Sequence, residues 1–94
     1  MFKIKKVEAL QNYRLQIEFV DGVRGTADVS HLMGKGVFSP WQDPHFFQQV
    51  YVGSSGEPRW NEEIDLDPDA LYLRITGKAP EEVFPALKSE TSRA

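Results

Sequence analysis

The stretch YRLQIEFVDGVRGTADV, residues 13–29, decides the fold of this chain. Apolar and polar side chains alternate over its first seven positions, a period of two that is typical of a strand with one buried face. Asp21 and Gly22 then indicate a hairpin turn. A two-residue loop would place Phe19 opposite Arg24 and mix apolar with charged residues on each face. A three-residue loop with Gly22 in the left-handed conformation keeps the faces separate, so we predict that register.

The predicted register gives the hairpin one apolar and one charged face. Its apolar face pairs Phe19 with Val23, Ile17 with Gly25, Leu15 with Ala27 and Tyr13 with Val29. On the other face, opposite charges meet across the strands, Glu18 with Arg24 and Arg14 with Asp28. Each such pair stabilises a sheet by about 0.2–1 kcal/mol. We therefore interpret the strand charges mainly as part of the scaffold.

The flanking segments extend this hairpin into an α+β fold. Residues 2–10 alternate but change phase at Lys5-Lys6, where we expect a β-bulge, and a turn at residues 11–12 completes a three-stranded antiparallel meander. Downstream, an aspartate-proline pair begins a short helix, DPHFFQQV, and the segments VYVG and EPRWN predict a second short hairpin with Pro58 at an edge. The predicted class is therefore α+β, a meander and a second hairpin covered by short helices.

The chain is predicted to form a single domain over residues 1–78. Its 94 residues leave no room for a second domain. Residues 31–39, HLMGKGVFS, are predicted to form a surface loop. Because Pro80 is a helix start signal and Pro85 interrupts the segment that follows, residues 79–94 are predicted to form a helical or partly disordered tail.

Composition and charge exclude several classes of protein. The chain has no cysteine, so neither a disulfide framework nor a thiolate zinc site is available. It has no apolar signal-peptide core and no apolar run of membrane-spanning length, so we expect a soluble, cytoplasmic protein with no membrane partner. The formal net charge is −3, with six basic against four acidic residues in residues 1–35. Nucleic acid is an unfavoured partner, since it requires a denser basic surface.

The stretch RWNEEIDLDPDALY, residues 59–72, holds the densest group of carboxylates, Glu62, Glu63, Asp65, Asp67 and Asp69. A calcium loop of the EF-hand type starting at Asp65 would need glycine where Ala70 stands and glutamate where Thr76 stands. Asp67 before a proline is instead typical of a helix N-cap, and an acidic residue in the first turn complements the helix dipole. We therefore predict a helix start and no cofactor. A divalent-ion or acid/base site in this cluster is the alternative.

The other residues able to do chemistry are isolated in the sequence. His31 and His45 lack the spacing of a metal-binding pair. The GKG triplet at residues 34–36 lacks the spacer and the following Ser/Thr of a phosphate loop. Trp41 and Trp60 are interpreted as core residues first and as anchors for a partner second.

The assembled pattern resembles a bacterial family of small α+β domains, the domain of unknown function 2442. The resemblance covers residues 4–73, and the positions that carry it are Asp21, Gly22, Asp28, Leu32, Phe38, Asp43, Phe47, Val50, Trp60, Asp65, Leu66, Pro68, Leu71 and Tyr72. The chain departs from the family pattern at Glu63, where glycine is common, and at Trp41, where leucine is common. The resemblance implies no catalytic residues. Some members continue into a helix-turn-helix that this sequence does not contain, which weighs against direct reading of DNA.

Elimination and the resemblance together predict a non-enzymatic protein-interaction or regulatory module that binds a protein partner or a second copy of itself. Genes of the family often lie beside another small protein, an arrangement that suggests a toxin–antitoxin pair. The candidate interaction or motif positions are Trp41, Trp60, Asp65, Asp67 and Tyr72. One alternative is a carboxylate-dependent enzyme or metal-binding protein that uses the cluster from Glu62 to Asp69. The other is a weak nucleic-acid binder that uses Lys3, Lys5, Lys6, Arg14 and Arg24.

Overall fold

A computed structural model describes residues 2–78 of the chain. The strands and helices, in chain order, are β1 (Ile4–Leu10), β2 (Arg14–Phe19), β3 (Arg24–Asp28), α1 (Pro44–Phe47), β4 (Tyr51–Val52), β5 (Pro58–Arg59) and α2 (Pro68–Thr76). The first three strands form an antiparallel sheet in the order β1-β2-β3, and β4 pairs with β5 in a separate hairpin. The predicted α+β class, with its meander and second hairpin, is confirmed.

The meander has the register predicted from its sequence. Its inner face pairs Leu15 with Ala27 and Ile17 with Gly25. The Phe19 N–H donates to the Val23 carbonyl at 2.8 Å across the turn, and Gly22 has a φ of 95°, in the left-handed region. In β1 the register shifts between Ile4 and Lys6, where the bulge was expected. The hydrophobic period and the turn glycine are thus sufficient to define this sheet.

The core lies against the inner face of the sheet. Its most deeply buried side chains are Trp41, Phe19, Leu15, Ile17, Val29 and Pro58. From α2, the Tyr72 ring meets the Phe19 ring edge-on with centroids 4.9 Å apart. Ile75 lies over Gly25, where an added Cβ would come within 2.5 Å of the isoleucine Cγ2. The helix therefore packs across β2 and β3 and closes that side of the core.

The loop predicted for residues 31–39 is more regular than expected. Two 3-10 helices overlap it, Ser30–Leu32 and the seven-residue Gly36–Gln42. These helices pair backbone groups locally, for example the Met33 N–H with the Ser30 carbonyl at 3.1 Å. Because 3-10 helices satisfy backbone groups within the segment itself, they replace the irregular loop.

The cross-strand charges of the meander lie opposite one another as predicted, Glu18 with Arg24 and Arg14 with Asp28. Within residues 2–78, however, both direct ion pairs belong to Arg59. The Arg14 Nε donates instead to the Gln11 carbonyl at 3.2 Å. The strand charges therefore face one another across the sheet without direct contact, which is weaker than the pairing expected from sequence.

The tail predicted for residues 79–94 lies outside the described residues, so the boundary placed at residue 78 stays a prediction. Within residues 2–78, no helix has both the length and the apolar character that crossing a membrane requires.

Candidate functional site

The acid-rich segment, residues 57–69, is organised around the guanidinium of Arg59 on β5. The Arg59 Nε donates to Glu57 Oε2 at 2.9 Å, and its Nη2 donates to Asp65 Oδ2 at 2.8 Å. Its Nη1 donates to two backbone carbonyls of the intervening turn, at 3.0 and 3.1 Å. The hydrogen bond to Glu57, followed by the nearby carboxylate charges, raises the pKa of Arg59 above its usual value. One cation thus closes the turn that carries the candidate carboxylates.

Glu57 is the buried carboxylate of the segment, with 7% of its surface exposed. Its Oε1 accepts a hydrogen bond from the Ser55 amide at 2.9 Å. Its own backbone amide, then Arg59, hold the pKa of Glu57 below its usual value, although burial acts in the opposite direction. The carboxylate fits because an added Cβ at Gly53 would lie 2.5 Å from it. Glu57 is absent from the predicted site residues; its sequence signal is its place in a GSSGEP turn whose amides need an acceptor.

The remaining acidic residues hold elements of the fold together. Asp67 caps α2 as predicted, since its Oδ1 accepts from the Asp69 amide at 3.0 Å. The Asp69 Oδ1 accepts from the Phe2 amide at 2.8 Å and so ties the start of the chain to this helix. Glu62 and Glu63 are exposed. Among the residues that the structure describes, no group of three His, Asp or Glu side chains is arranged to hold a metal ion.

The aromatic candidate positions lie in the core. Trp41 is 0% exposed, Trp60 5% and Tyr72 7%. The Trp60 Nε1 donates to the Phe47 carbonyl at 2.8 Å, whereas the Trp41 Nε1 has no hydrogen-bond partner within residues 2–78. The Tyr72 hydroxyl donates to Asp21 Oδ2 at 2.8 Å, and this bond raises the pKa of Tyr72. Their burial supports the core interpretation, and a role of these side chains in partner binding stays a prediction.

The outer face of the sheet carries a groove of about 670 Å³, here called the outer-face groove. Its floor includes Lys6, Glu18 and Arg24, which lie side by side on β1, β2 and β3. The segment Val50 to Val52, which includes β4, forms its wall, and Tyr51 in that wall is 47% exposed. The groove is absent from the predicted sites. Its sequence signal is the apolar run VYV, because a strand that buries alternate residues must turn one of the three outward.

The charges of the outer-face groove are available to a ligand. Glu18 is placed between two cationic side chains, Lys6 and Arg24, by the strand register. None of these three forms a direct ion pair within the described part of the chain. Beside them lies the half-exposed ring of Tyr51. The groove therefore combines an apolar wall with a row of alternating charge, an arrangement suited to binding rather than to covalent chemistry.

The fold and its two charged regions define a small α+β domain. The family model described as Protein of unknown function (DUF2442) matches residues 4–77, and the chain belongs to this family. The resemblance drawn from the sequence is thereby confirmed.

One solved structure similar to this chain is that of a Nitrosomonas europaea protein named as a candidate DNA-binding protein. The two are 25% identical with a TM-score of 0.76, and the match covers 98% of this chain and 62% of that one. This chain thus spans less than two thirds of the length of that protein. No curated protein matches the sequence.

Proposed function

We propose that this chain is a non-enzymatic binding module that recognises a protein partner through the outer-face groove. The observation that carries the proposal is the half-exposed Tyr51 ring beside charges that have no direct ion pair in residues 2–78. Interfaces combine an aromatic or aliphatic anchor with a polar rim, and tyrosine is enriched among the residues that dominate binding energy. Glu57, Asp65, Asp67 and Asp69 already accept internal hydrogen bonds, which favours this proposal over a carboxylate-dependent enzyme.

The partner that best fits the groove is an extended protein segment with one apolar side chain flanked by charges of both signs. The apolar side chain would pack on Tyr51, and the charged ones would face Glu18 and the two cations beside it. The family resemblance adds a specific partner, the small protein encoded next to the gene, in the manner of a toxin–antitoxin pair.

The test is co-expression of the full chain with the product of the adjacent gene, followed by titration calorimetry of the purified pair. Tyr51→Ser should weaken binding at least about 30-fold, the effect of losing an interface hot spot. The matched control is Val20→Ser, since Val20 is 67% exposed and lies outside the groove. Unchanged affinity in Tyr51→Ser, or equal losses in both variants, would overturn the groove as the binding site.

DNA binding is a second candidate function, favoured by the similarity to the N. europaea candidate DNA-binding protein. The basic residues available for it are all exposed, Lys3, Lys5, Lys6, Arg14 and Arg24. Two of them flank Glu18, which opposes the approach of a phosphate. We expect weak, salt-sensitive and sequence-independent binding to duplex DNA. Sub-micromolar, sequence-selective binding in a gel-shift titration at physiological salt would place this candidate ahead of the groove proposal.

A further inference from the structure

Strand β3 is the open edge of the meander. The residue pairs at its two ends are marked by backbone hydrogen bonds, Phe19 with Val23 at 2.8 Å and Tyr13 with Val29 at 2.9 Å. Hydrogen-bonded and non-hydrogen-bonded pairs alternate along an antiparallel ladder. The residues of β3 whose backbone N–H and C=O groups point away from β2 are therefore Arg24, Thr26 and Asp28.

Little of the described chain covers this row of backbone groups. The Arg74 Nη2 donates to the Asp28 carbonyl at 2.5 Å. Within residues 2–78, the outward backbone groups of Arg24 and Thr26 have no partner. Helix α2 does not cover them, because its Ile75 and Tyr72 pack on the inner face against β3 and β2.

The opposite edge of the sheet, β1, is covered by another part of the chain. Strand β1 is flanked by the second hairpin, and the Ile4 N–H donates to the Gly56 carbonyl at 2.9 Å. An open edge strand is a template for pairing with another strand, and proteins generally cover, charge or pair such edges. The β3 edge is charged, with a cation, Arg24, at one end and an anion, Asp28, at the other.

We infer that β3 pairs edge to edge with β3 of a second copy of this chain, antiparallel about a two-fold axis at Thr26. In this register Arg24 lies opposite Asp28 of the second copy, Asp28 lies opposite Arg24 of the second copy, and the two Thr26 residues meet at the axis. Opposite charges and paired threonines are both favourable cross-strand neighbours. A two-fold interface must be self-complementary, and the order Arg-Gly-Thr-Ala-Asp satisfies that condition.

The neighbouring registers lose this complementarity. A two-fold axis at Gly25 or at Ala27 places one charged residue opposite Thr26 in each half, and an axis at Arg24 places like charges together. The axis at Thr26 also joins residues whose backbone groups all point outward, which a hydrogen-bonded pair requires. The Asp28 carbonyl, which accepts from Arg74, has a second lone pair for the N–H of the second copy. The inner-face neighbours are then Gly25 and Ala27, which are small enough to allow close approach of the two strands.

The dimer extends the meander into a six-stranded sheet. Because Arg24 contributes both to the edge and to the outer-face groove, the two grooves lie on the same face on either side of the axis. The inference concerns the edge and does not rest on the groove proposal. A five-residue edge predicts a weak dimer, with a Kd on the order of 10–100 μM.

Sedimentation equilibrium of the full chain tests this inference. The weight-average mass should rise from 10.7 kDa towards twice that value between about 1 μM and about 1 mM protein. Arg24→Glu should weaken the dimer at least about tenfold, since it places like charges opposite each other twice. Thr26→Pro should do the same by removing an outward N–H at the axis, a substitution that an edge strand tolerates. Lys5→Glu is the matched control, because Lys5 is an exposed cation on β1.

The charge swap provides the decisive variant. Arg24→Glu combined with Asp28→Arg restores opposite charges across the axis and should recover the dimer, with circular dichroism confirming the fold of every variant. A chain that stays monomeric near 1 mM overturns the inference. So does a dimer that both Arg24→Glu and Thr26→Pro leave unchanged. Failure of the folded double variant to recover contradicts the Thr26-centred register.

Discussion

The acid-rich segment and the outer face of the sheet are both charged, but their charges differ in what they contact. In residues 57–69, the carboxylates of Glu57, Asp65, Asp67 and Asp69 accept hydrogen bonds from donors within the segment or from the Phe2 amide. On the outer face, Lys6, Glu18 and Arg24 align across three strands without a direct ion pair in the described residues. Most of the carboxylates in the acid-rich segment are therefore engaged in internal hydrogen bonds, whereas that of Glu18 on the outer face is not.

The difference follows from the backbone beneath each region. The acid-rich segment contains a turn, a short strand and a helix start, all of which leave N–H groups without backbone partners. A nearby carboxylate is the strongest available acceptor for those groups. In the meander, the ladder pairs the backbone groups between strands, so the outward side chains are left to solvent. In this chain, the dense run of acids next to turn and helix-start signals thus belongs mainly to the scaffold.

Glu57→Ala is the most severe test of the difference between the two regions. We expect a loss of about 2–3 kcal/mol in the free energy of unfolding, because the Ser55 amide and the Arg59 guanidinium lose a buried, charged acceptor. Urea denaturation at neutral pH measures this loss. The matched control in the same segment is Glu62→Ala, whose exposed side chain predicts a change within about 0.5 kcal/mol. Equal losses in the two variants would mean that burial and hydrogen bonding do not determine how much each acidic residue contributes to stability.

Gly22→Val tests how much the hairpin turn between β2 and β3 contributes to the stability of the fold. Nothing lies within 4 Å of a Cβ added at Gly22, so its φ of 95° is the source of the expected cost. A β-branched residue held in the left-handed region should lose about 1–2 kcal/mol of stability. Gly22→Asn should lose less, because asparagine tolerates this conformation. Equal losses by thermal denaturation would point to a cause other than backbone strain.

The sequence predicts the fold better than it predicts the groove. The register of the meander follows from the alternation in residues 13–19 and the position of Gly22, both of which are local signals. The cap at Asp67 is also local. The outer-face groove depends on β4 standing beside β1, a contact between segments about forty residues apart that no single stretch encodes. Glu57 escapes prediction for a related reason, since its burial depends on how Gly53 and Arg59 fold around it.

Asp67→Ala tests whether Asp67 acts as a helix cap or as a metal ligand. Loss of the N-cap should cost about 1 kcal/mol, and Asp67→Ser, which keeps a capping oxygen, should cost less. Under the same interpretation, calcium, magnesium or manganese at about 1 mM leaves the melting temperature of the wild type unchanged. A rise of several degrees with metal that Asp67→Ala abolishes would instead establish the carboxylates as a metal site.

Glu18→Gln is expected to have the smallest effect on stability, and it compares the two regions most directly. Glu18 attracts Lys6 and Arg24 across the strands without direct contact, so neutralising it should cost only about 0.2–0.5 kcal/mol. The same chemical change at Glu57 removes a charged acceptor from Arg59 and should cost more than about 1 kcal/mol. Urea denaturation of both glutamine variants under one set of conditions measures the difference. A cost at Glu18 as large as that at Glu57 would make the outer-face charges part of the scaffold and remove the charged row from the groove proposal. A small loss of stability in Glu18→Gln, combined with a clear loss of partner affinity, would instead separate the two regions. Such a result is expected when the carboxylate makes few contacts in the folded chain and its main contact is with the partner.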